Sequence, residues 1–267
     1  MSDSLARLLQ RRGIDWPAPV ERFASVASTN DVVRERARAG ASSWHAVIAD
    51  RQTAGRGRHG RPWLSEAGDL FLSVLLRPGD VPAETEPVLP LLAGVAASEA
   101  AAELGVVARL KWPNDLVAGE RKLGGILVEA ASVGLGVEHA AVGVGLNLRL
   151  DPPEELRDSA TSVLRETGRA PSVDEAAAAV LAGLLQAARG VASRGRAAVV
   201  AAWRARAADW WGREVEVSSG GARVAGRALG VDDAGALLLE SGSGTIRVLS
   251  GEARALRLAG GRPEGGE

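Results

Sequence analysis

Helical spacing of apolar positions recurs along the chain and stops near Gly212. Ser4–Arg12 has the spacing of a short helix, and Val20–Val26 that of a strand. STND (Ser28–Asp31) then offers oxygens that can accept from the free amides of a first helical turn, so a helix is expected over VVRERARAG, stopping at Gly40. Ala46–Ala49 and Asp69–Leu76 are strand-like, and alanine-rich Pro87–Leu104 has helical length, ending at Gly105. Val106–Trp112 reads as a strand. Leu116–Val117 and Leu123–Ala130 flank AGERK as a hairpin, and Ala140–Leu150 alternates apolar residues with glycines. Val173, Ala177, Val180, Leu184, Ala188 and Val191 form one helical stripe, and a second helix is expected over Arg196–Trp211. Beyond Gly212 the helical period gives way to short β runs broken by SSGG, DDAG and SGSG, the pattern of a small antiparallel barrel over residues 212–259. The glycine-rich end, 260–267, reads as a disordered tail.

Composition narrows the function classes. Apolar residues make up 46% of the 267, enough for a sizeable core. Lysine plus arginine (32) balances aspartate plus glutamate (33), so there is no basic excess of the kind a general nucleic-acid-binding domain carries. There is no cysteine, which removes disulfides, thiolate metal sites and cysteine nucleophiles. His45, His59 and His139 are scattered, so no histidine-rich metal site is expected. The N-terminus lacks a signal-peptide pattern, and the apolar run near Leu89–Ala102 is too short to span a bilayer. A soluble cytoplasmic protein without DNA or membrane partners is expected.

The densest chemistry lies in AGRGRHGRPW (Ala54–Trp63), where Gly55, Gly57 and Gly60 alternate with Arg56, Arg58 and Arg61. A dinucleotide-binding turn needs a helix immediately after the glycines, whereas Arg61-Pro62-Trp63 continues as loop. No P-loop sequence occurs. An RNA-binding patch is disfavoured by the neutral balance and the lack of tyrosine. A plain solvated loop remains open. So does a phosphate clamp: glycines let backbone amides approach an anion, arginines add forked hydrogen bonds, and such a loop can order on binding.

Two blocks make the pattern specific. DRQTAGRGRHGRPW (Asp50–Trp63) resembles the ligand loop of biotin–protein ligases, and KWPNDLVAGERKLGGILVE (Lys111–Glu129) resembles that family's second signature. STN at Ser28–Asn30, VGVGLNL at Val142–Leu148 and SGEARALR at Ser250–Arg257 match in family order. The resemblance is to the short form without a DNA-binding domain. It implies an α/β (α+β) fold, a class II synthetase-like catalytic domain over 1–211 built on a mixed sheet with packed helices, followed by an SH3-like C-terminal domain. It also implies ATP-dependent activation of biotin, with Mg2+ accompanying ATP, and transfer to a lysine of the biotin carboxyl carrier domain of an acyl-CoA carboxylase. The enzyme would act as a monomer or weak homodimer.

The same resemblance assigns roles. Ser28, Thr29 and Gln52 line the biotin head-group pocket, although Ser28 and Thr29 equally suit helix capping, and Asn30 is a further ligand-binding residue. Gly55 and Gly57 bring backbone close to ligand. Arg56 and Arg58 bracket the biotin carboxylate and the α-phosphate, and Arg61 reaches the ATP phosphates. Trp63 packs near adenine or serves as core. Lys122 offsets charge where carboxyl and phosphate react, with Gly124 and Gly125 letting backbone pass close to biotin. Lys111 and Asn114 contact phosphate. Asp115 orients or deprotonates the incoming amine, or else caps a turn. Asn147 faces the nucleotide, and Arg257 reaches across to the phosphates. No metal ligands are expected. A lipoate or octanoate ligase or transferase of the same fold is the alternative reading, whose loop pattern of consecutive glycines and a histidine this chain lacks. A biotin sensor or repressor is the other.

Overall fold

The computed structural model describes residues 1–255 except Ser65, Gly134, Leu135, Gly220, Gly221, Ser243 and Ser250; Arg257 and the 260–267 tail lie outside the described residues. The chain divides into two compact units, Met1–Ala208 and Asp209–Glu267.

The first unit is a seven-stranded mixed sheet with helices on both faces. Its strands are β1 (Val20–Phe23), β2 (Ala46–Ala49), β3 (Leu70–Leu76), β4 (Arg109–Lys111), β5 (Asp115–Ala118), β6 (Arg121–Val133) and β7 (Gly136–Leu146), in the order β1-β2-β3-β7-β6-β5-β4. Only β1 and β2 are parallel; every other pairing is antiparallel. Helix α1 (Asp3–Arg11) precedes β1, and α2 (Thr29–Arg38) connects β1 to β2. One face of the sheet takes α2, whose Val33 and Ala37 close a core with Val47, Leu75 and Ala141. A fully buried leucine or valine here contributes about 1.5–3 kcal/mol. The other layer is formed by α3 (Leu89–Glu103) and the long element α5 (Val173–Arg206), which follows the short α4 (Val163–Thr167).

Helix α3 has no polar stripe, because it is buried among β strands and α5 and must be apolar nearly all round. A capping box formed by Ser172 and Glu175 starts α5. Gly195, at φ 69°, interrupts α5 and accounts for the two helical patterns in the sequence. Among the described residues α5 alone is long and apolar enough to cross a membrane, and 67% of its most apolar stretch is buried inside the protein.

Several strands differ from expectation for identifiable reasons. β1 stops at Phe23, leaving Val26 to make a single parallel bridge to Gln52. β4 is limited to Arg109–Lys111, since the Val106 amide turns back to the Ala101 carbonyl behind α3. β7 ends at Leu146 rather than running to Leu150. Buried Asp69 draws the backbone away there, its Oδ1 accepting from the amides of Leu148 (2.7 Å), Arg149 (2.8 Å) and Leu150 (3.1 Å). Burial pushes the Asp69 carboxyl up from its ordinary value, against the pull of these amides.

The second unit is a five-stranded antiparallel sheet: β8 (Glu214–Ser219), β9 (Ala222–Val231), β10 (Leu237–Ser241), β11 (Gly244–Val248) and β12 (Glu252–Ala255), ordered β11-β10-β9-β8-β12. Val215, Val217, Ala228, Val231, Leu237 and Leu239 supply its core.

Candidate functional site

Ala54–Trp63 folds back on itself as a narrow hairpin. Its stem is held by a bridge between Arg56 and Pro62, by the Gly57 amide donating to the Arg61 carbonyl (2.8 Å), and by the Trp63 amide donating to the Gly55 carbonyl (2.9 Å). The base continues the parallel pairing of β1 and β2, with the Thr53 amide bonding Val26 and the Ala54 amide bonding Ala27. The tip is a single tight turn, Arg58–Gly60, in which His59 adopts a left-handed φ of 57°. Arg58 is thus carried at the tip, Arg61 where the tip joins the stem, and Arg56 in the stem.

At the N-terminus of α2 the expected side-chain capping is replaced. Ser28 occupies the cap position but makes no side-chain cap bond. Gln52 Oε1 accepts instead, from the Thr29 amide (2.8 Å) and hydroxyl (3.2 Å). The parallel bridge from Val26 to Gln52 brings this side chain within reach. Buried Ser73 on β3 lies beside the same turn, 2.7 Å from Thr29 Oγ1 and donating to Asn30 Oδ1 at 2.6 Å. The Asn30 amide donates to Glu129 Oε2 (2.7 Å) and to the Leu127 carbonyl (3.2 Å) on β6. Asn30 fits because the strand beneath it carries Gly143, where a Cβ would stand 2.5 Å from Asn30 Oδ1.

Arg56 points into this polar network. Its guanidinium donates to both carboxylate oxygens of Asp31 (2.7 and 2.5 Å) and reaches Glu129 at 3.4 Å. The hydrogen bond to Arg56 holds the Asp31 carboxyl below its usual range, and the same bond raises Arg56. The Arg56 side chain, expected to face a ligand carboxylate, here makes an ion pair within the protein.

The second block surrounds Lys122. Lys111 and Asp115 face each other across the β4–β5 turn, and the Asn114 side chain donates to the Ile126 carbonyl (2.6 Å), tying that turn to β6. Lys122 Nζ is 2.6 Å from Asp115 Oδ1 and 5.1 Å from the centre of the Trp63 ring. Trp63 rests on glycine backbone: a Cβ at Gly145 would meet Trp63 Cζ2 at 2.9 Å, and one at Gly125 would meet Cζ3 at 3.1 Å. Gly124 lies beside them on β6, opposite Leu146. The Lys122 backbone is clamped by the Ser159–Thr161 segment, its amide donating to Ser159 (2.8 Å) and its carbonyl accepting from Thr161 (2.9 Å). Buried Asn147 donates to the Thr161 carbonyl (2.9 Å) and Lys122 carbonyl (3.4 Å), so it joins that segment to β6.

The expected site residues thus form two neighbouring groups. Trp63 joins them, belonging to the hairpin and lying against Gly125, Gly145 and Lys122. Sequence reasoning missed Ser73, Glu129 and Asp69. Their signals were a lone hydroxyl in the apolar run LFLSVLL, an acid inside ILVEA, and an acid opening a buried strand. Arg257 lies outside the described residues. Among the described residues no cluster of three histidine, aspartate or glutamate side chains is arranged to hold a metal ion.

Comparison with known proteins identifies the family. The family described as Biotin/lipoate A/B protein ligase matches residues 22–147, and the biotin protein ligase C-terminal domain matches residues 211–253. A biotin–[acetyl-CoA-carboxylase] ligase of Mycobacterium tuberculosis is 39% identical over 271 residues, covering 95% of each chain. The bifunctional ligase/repressor of Escherichia coli K12 is 33% identical over 237 residues, covering 88% of this chain and 73% of that one. The solved biotin protein ligase of Aquifex aeolicus in complex with biotin and ATP superposes with a TM-score of 0.76 at 30% identity, over 89% of this chain and 98% of that one. Full-length similarity, both matched domains and the shared fold make this chain a member of the biotin protein ligase family.

Proposed function

We propose that this protein joins biotin to ATP as biotinoyl-5′-AMP and passes the biotinoyl group to one lysine of a biotin carboxyl carrier domain of an acyl-CoA carboxylase, in the cytoplasm. The observation that carries the reading is the Lys122–Asp115 ion pair set over Trp63, on the glycine strands beside the arginine hairpin. In the first step a biotin carboxylate oxygen attacks the α-phosphorus and pyrophosphate leaves. Two anions must meet, and the Lys122 ammonium together with Arg58 and Arg61 offsets their charge. In the second step the carrier amine attacks the acyl carbon, AMP leaves, and the amine proton must be taken up. Asp115 serves there once Lys122 turns towards phosphate.

Ser28, Thr29 and Gln52 suit a ureido ring, being polar and presented at the end of α2. Asn114 and Asn147 act mainly by holding backbone, Asn114 for the turn that carries Asp115 and Asn147 for the Lys122 strand. Magnesium is expected to arrive with the triphosphate, since that ion keeps most of its ligands as phosphate and water. The lipoate alternative rests on the shared family description alone.

The test is mass spectrometry after incubation with ATP, magnesium and, separately, biotin, lipoate or octanoate. Biotinoyl-AMP alone is the expected product. Lipoyl- or octanoyl-AMP in its place would overturn the substrate, and no adenylate from any acid would overturn the activity.

A further inference from the structure

Arg56 sits in a socket made by Asp31, on α2, and Glu129, on β6. The socket is itself oriented: buried Ser73 fixes Asn30, and Asn30 presents Glu129 through a 2.7 Å hydrogen bond. Arg34 closes it from the solvent side, 3.6 Å from Asp31 and 4.0 Å from Glu129. Two guanidiniums thus balance two carboxylates. If Arg56 swung out towards a ligand anion, both acids would be left with Arg34 at longer range and Asp31 with Arg38 as well, and Glu129 would keep only its hydrogen bond from Asn30. Arg56 also bridges to Pro62 across the stem, so its backbone and its side chain are each held.

We propose that Arg56 is the pin of the ligand loop, with Asp31 and Glu129 as its positioning residues, so that the stem is ordered before ligand arrives and only the tip, with Arg58 and the adjoining Arg61, responds to it. This divides the labour of the arginines. Arg58 and Arg61 meet the anion, and the stem arginine holds residues 52–56, including Gln52, against the end of α2. The kinetic consequence rests on the function proposed above; the structural one does not. Asp31 is partly exposed, so its ion pair is weakened by solvent and salt. The shared carboxylates and the buried Ser73–Asn30 support make the cluster more than a surface pair.

Two measurements test it. Hydrogen exchange on the ligand-free protein reads the stem directly. Wild-type amides of Thr53, Ala54, Gly57 and Trp63, which donate to Val26, Ala27, Arg61 and Gly55, are expected to be protected, with Asp31→Asn and Glu129→Gln each raising their exchange about tenfold, the loss of one charged hydrogen bond. Steady-state pyrophosphate exchange reads the consequence. In Asp31→Asn the KM for biotin is expected to rise about tenfold, with kcat within roughly twofold and the KM for ATP unchanged. Arg56→Lys is expected to recover part of what Arg56→Ala loses, and Arg56→Ala is expected to cost little more once Asp31→Asn and Glu129→Gln are already present. Unchanged stem exchange in both acid variants would overturn the pin. So would a fall in kcat at constant biotin KM, or a large further loss from Arg56→Ala in the double acid variant, because Arg56 would then act on the ligand itself. A wild-type protein that makes no biotinoyl-AMP would remove the proposed function while the exchange measurement still decides the pin.

Discussion

Gly145→Ala tests the central contact of the site by adding a single methyl group. The new Cβ would lie 2.9 Å from Trp63 Cζ2, 3.0 Å from Cε2 and 3.3 Å from Nε1. Carbon atoms rest at about 3.5–4.0 Å, so the overlap is roughly 0.5–1 Å. The strand cannot retreat, because Gly145 pairs with Phe71 on one side and Gly125 on the other. The indole, carried on a loop, must lift. Overpacking of this kind costs about 1–3 kcal/mol. A displaced ring also removes the face under Lys122, a cation–π contact of about 0.5–1 kcal/mol where partly exposed. Since each 1.36 kcal/mol is a factor of ten in rate, adenylation kcat/KM is expected to fall roughly 10- to 900-fold. Because a loop yields rather than the core, Tm is expected to fall by less than about 4 °C. The assay is biotin-dependent pyrophosphate exchange for wild type, Gly145→Ala, Trp63→Phe and the double variant. The smaller phenyl ring leaves room for the methyl, so the double variant is expected to beat the product of the single losses by a coupling of about 1 kcal/mol. Wild-type kinetics in Gly145→Ala would refute the contact. Strictly additive losses would show that residue 145 meets the ligand directly instead of through Trp63.

Three further outcomes follow from other parts of the molecule. Lys122→Ala is expected to slow biotinoyl-AMP formation about 10²–10³-fold, as for removal of one charge-stabilising donor, while circular dichroism and Tm stay near wild type; single-turnover rates near wild type would remove Lys122 from the chemistry. Glu21 binds Arg36 (2.7 Å) and His45 (2.6 Å), and the Arg36 hydrogen bond chiefly lowers its carboxyl to about 2. A lowered acid contributes stability above its unfolded value and loses it as pH falls from about 4.5 towards 2. Glu21→Gln is therefore expected to cost about 1–2 kcal/mol in urea denaturation at pH 7 and almost nothing at the acid end; a pH-independent cost would contradict this. His139 is buried on β7, neither ring nitrogen has a hydrogen-bond partner among the described residues, and burial lowers its pKa although Glu138 stands 3.7 Å from Nδ1. Its unfolded form takes up a proton first, so its contribution to stability is lost as pH falls below about 6.5. His139→Leu is expected to raise Tm, and to raise it more at pH 5 than at pH 8; an equal gain at both would place the effect in packing alone.

What was legible in the sequence and what was not separate along a physical line. Local rules found most elements, because period and turn chemistry are local: AGERK does turn β5 into β6, and Ala46–Ala49 is a strand as read. They overextended β7 because its end is set by Asp69, some eighty residues away in sequence, whose carboxylate collects three amides. They placed Ser28 at the start of α2 but gave it the capping bond, which in fact comes from Gln52 across the β1–β2 connection. The same limit applies to the site. Motif resemblance gathers Lys122, Asp115 and Trp63, and the fold brings them together. A motif names arginines without saying which way each one points, and Arg56 is decided by Asp31 and Glu129, from a helix and a strand outside its own segment. Even the glycines of VGVGL separate on this basis. Gly143 makes room for Asn30 and Gly145 for Trp63, so one alternating strand supports both the polar network that holds Arg56 and the tryptophan beneath Lys122. A strand with larger residues at these two positions would keep its place in the sheet and lose both supports, which is why the glycine spacing there belongs to the site rather than to the fold.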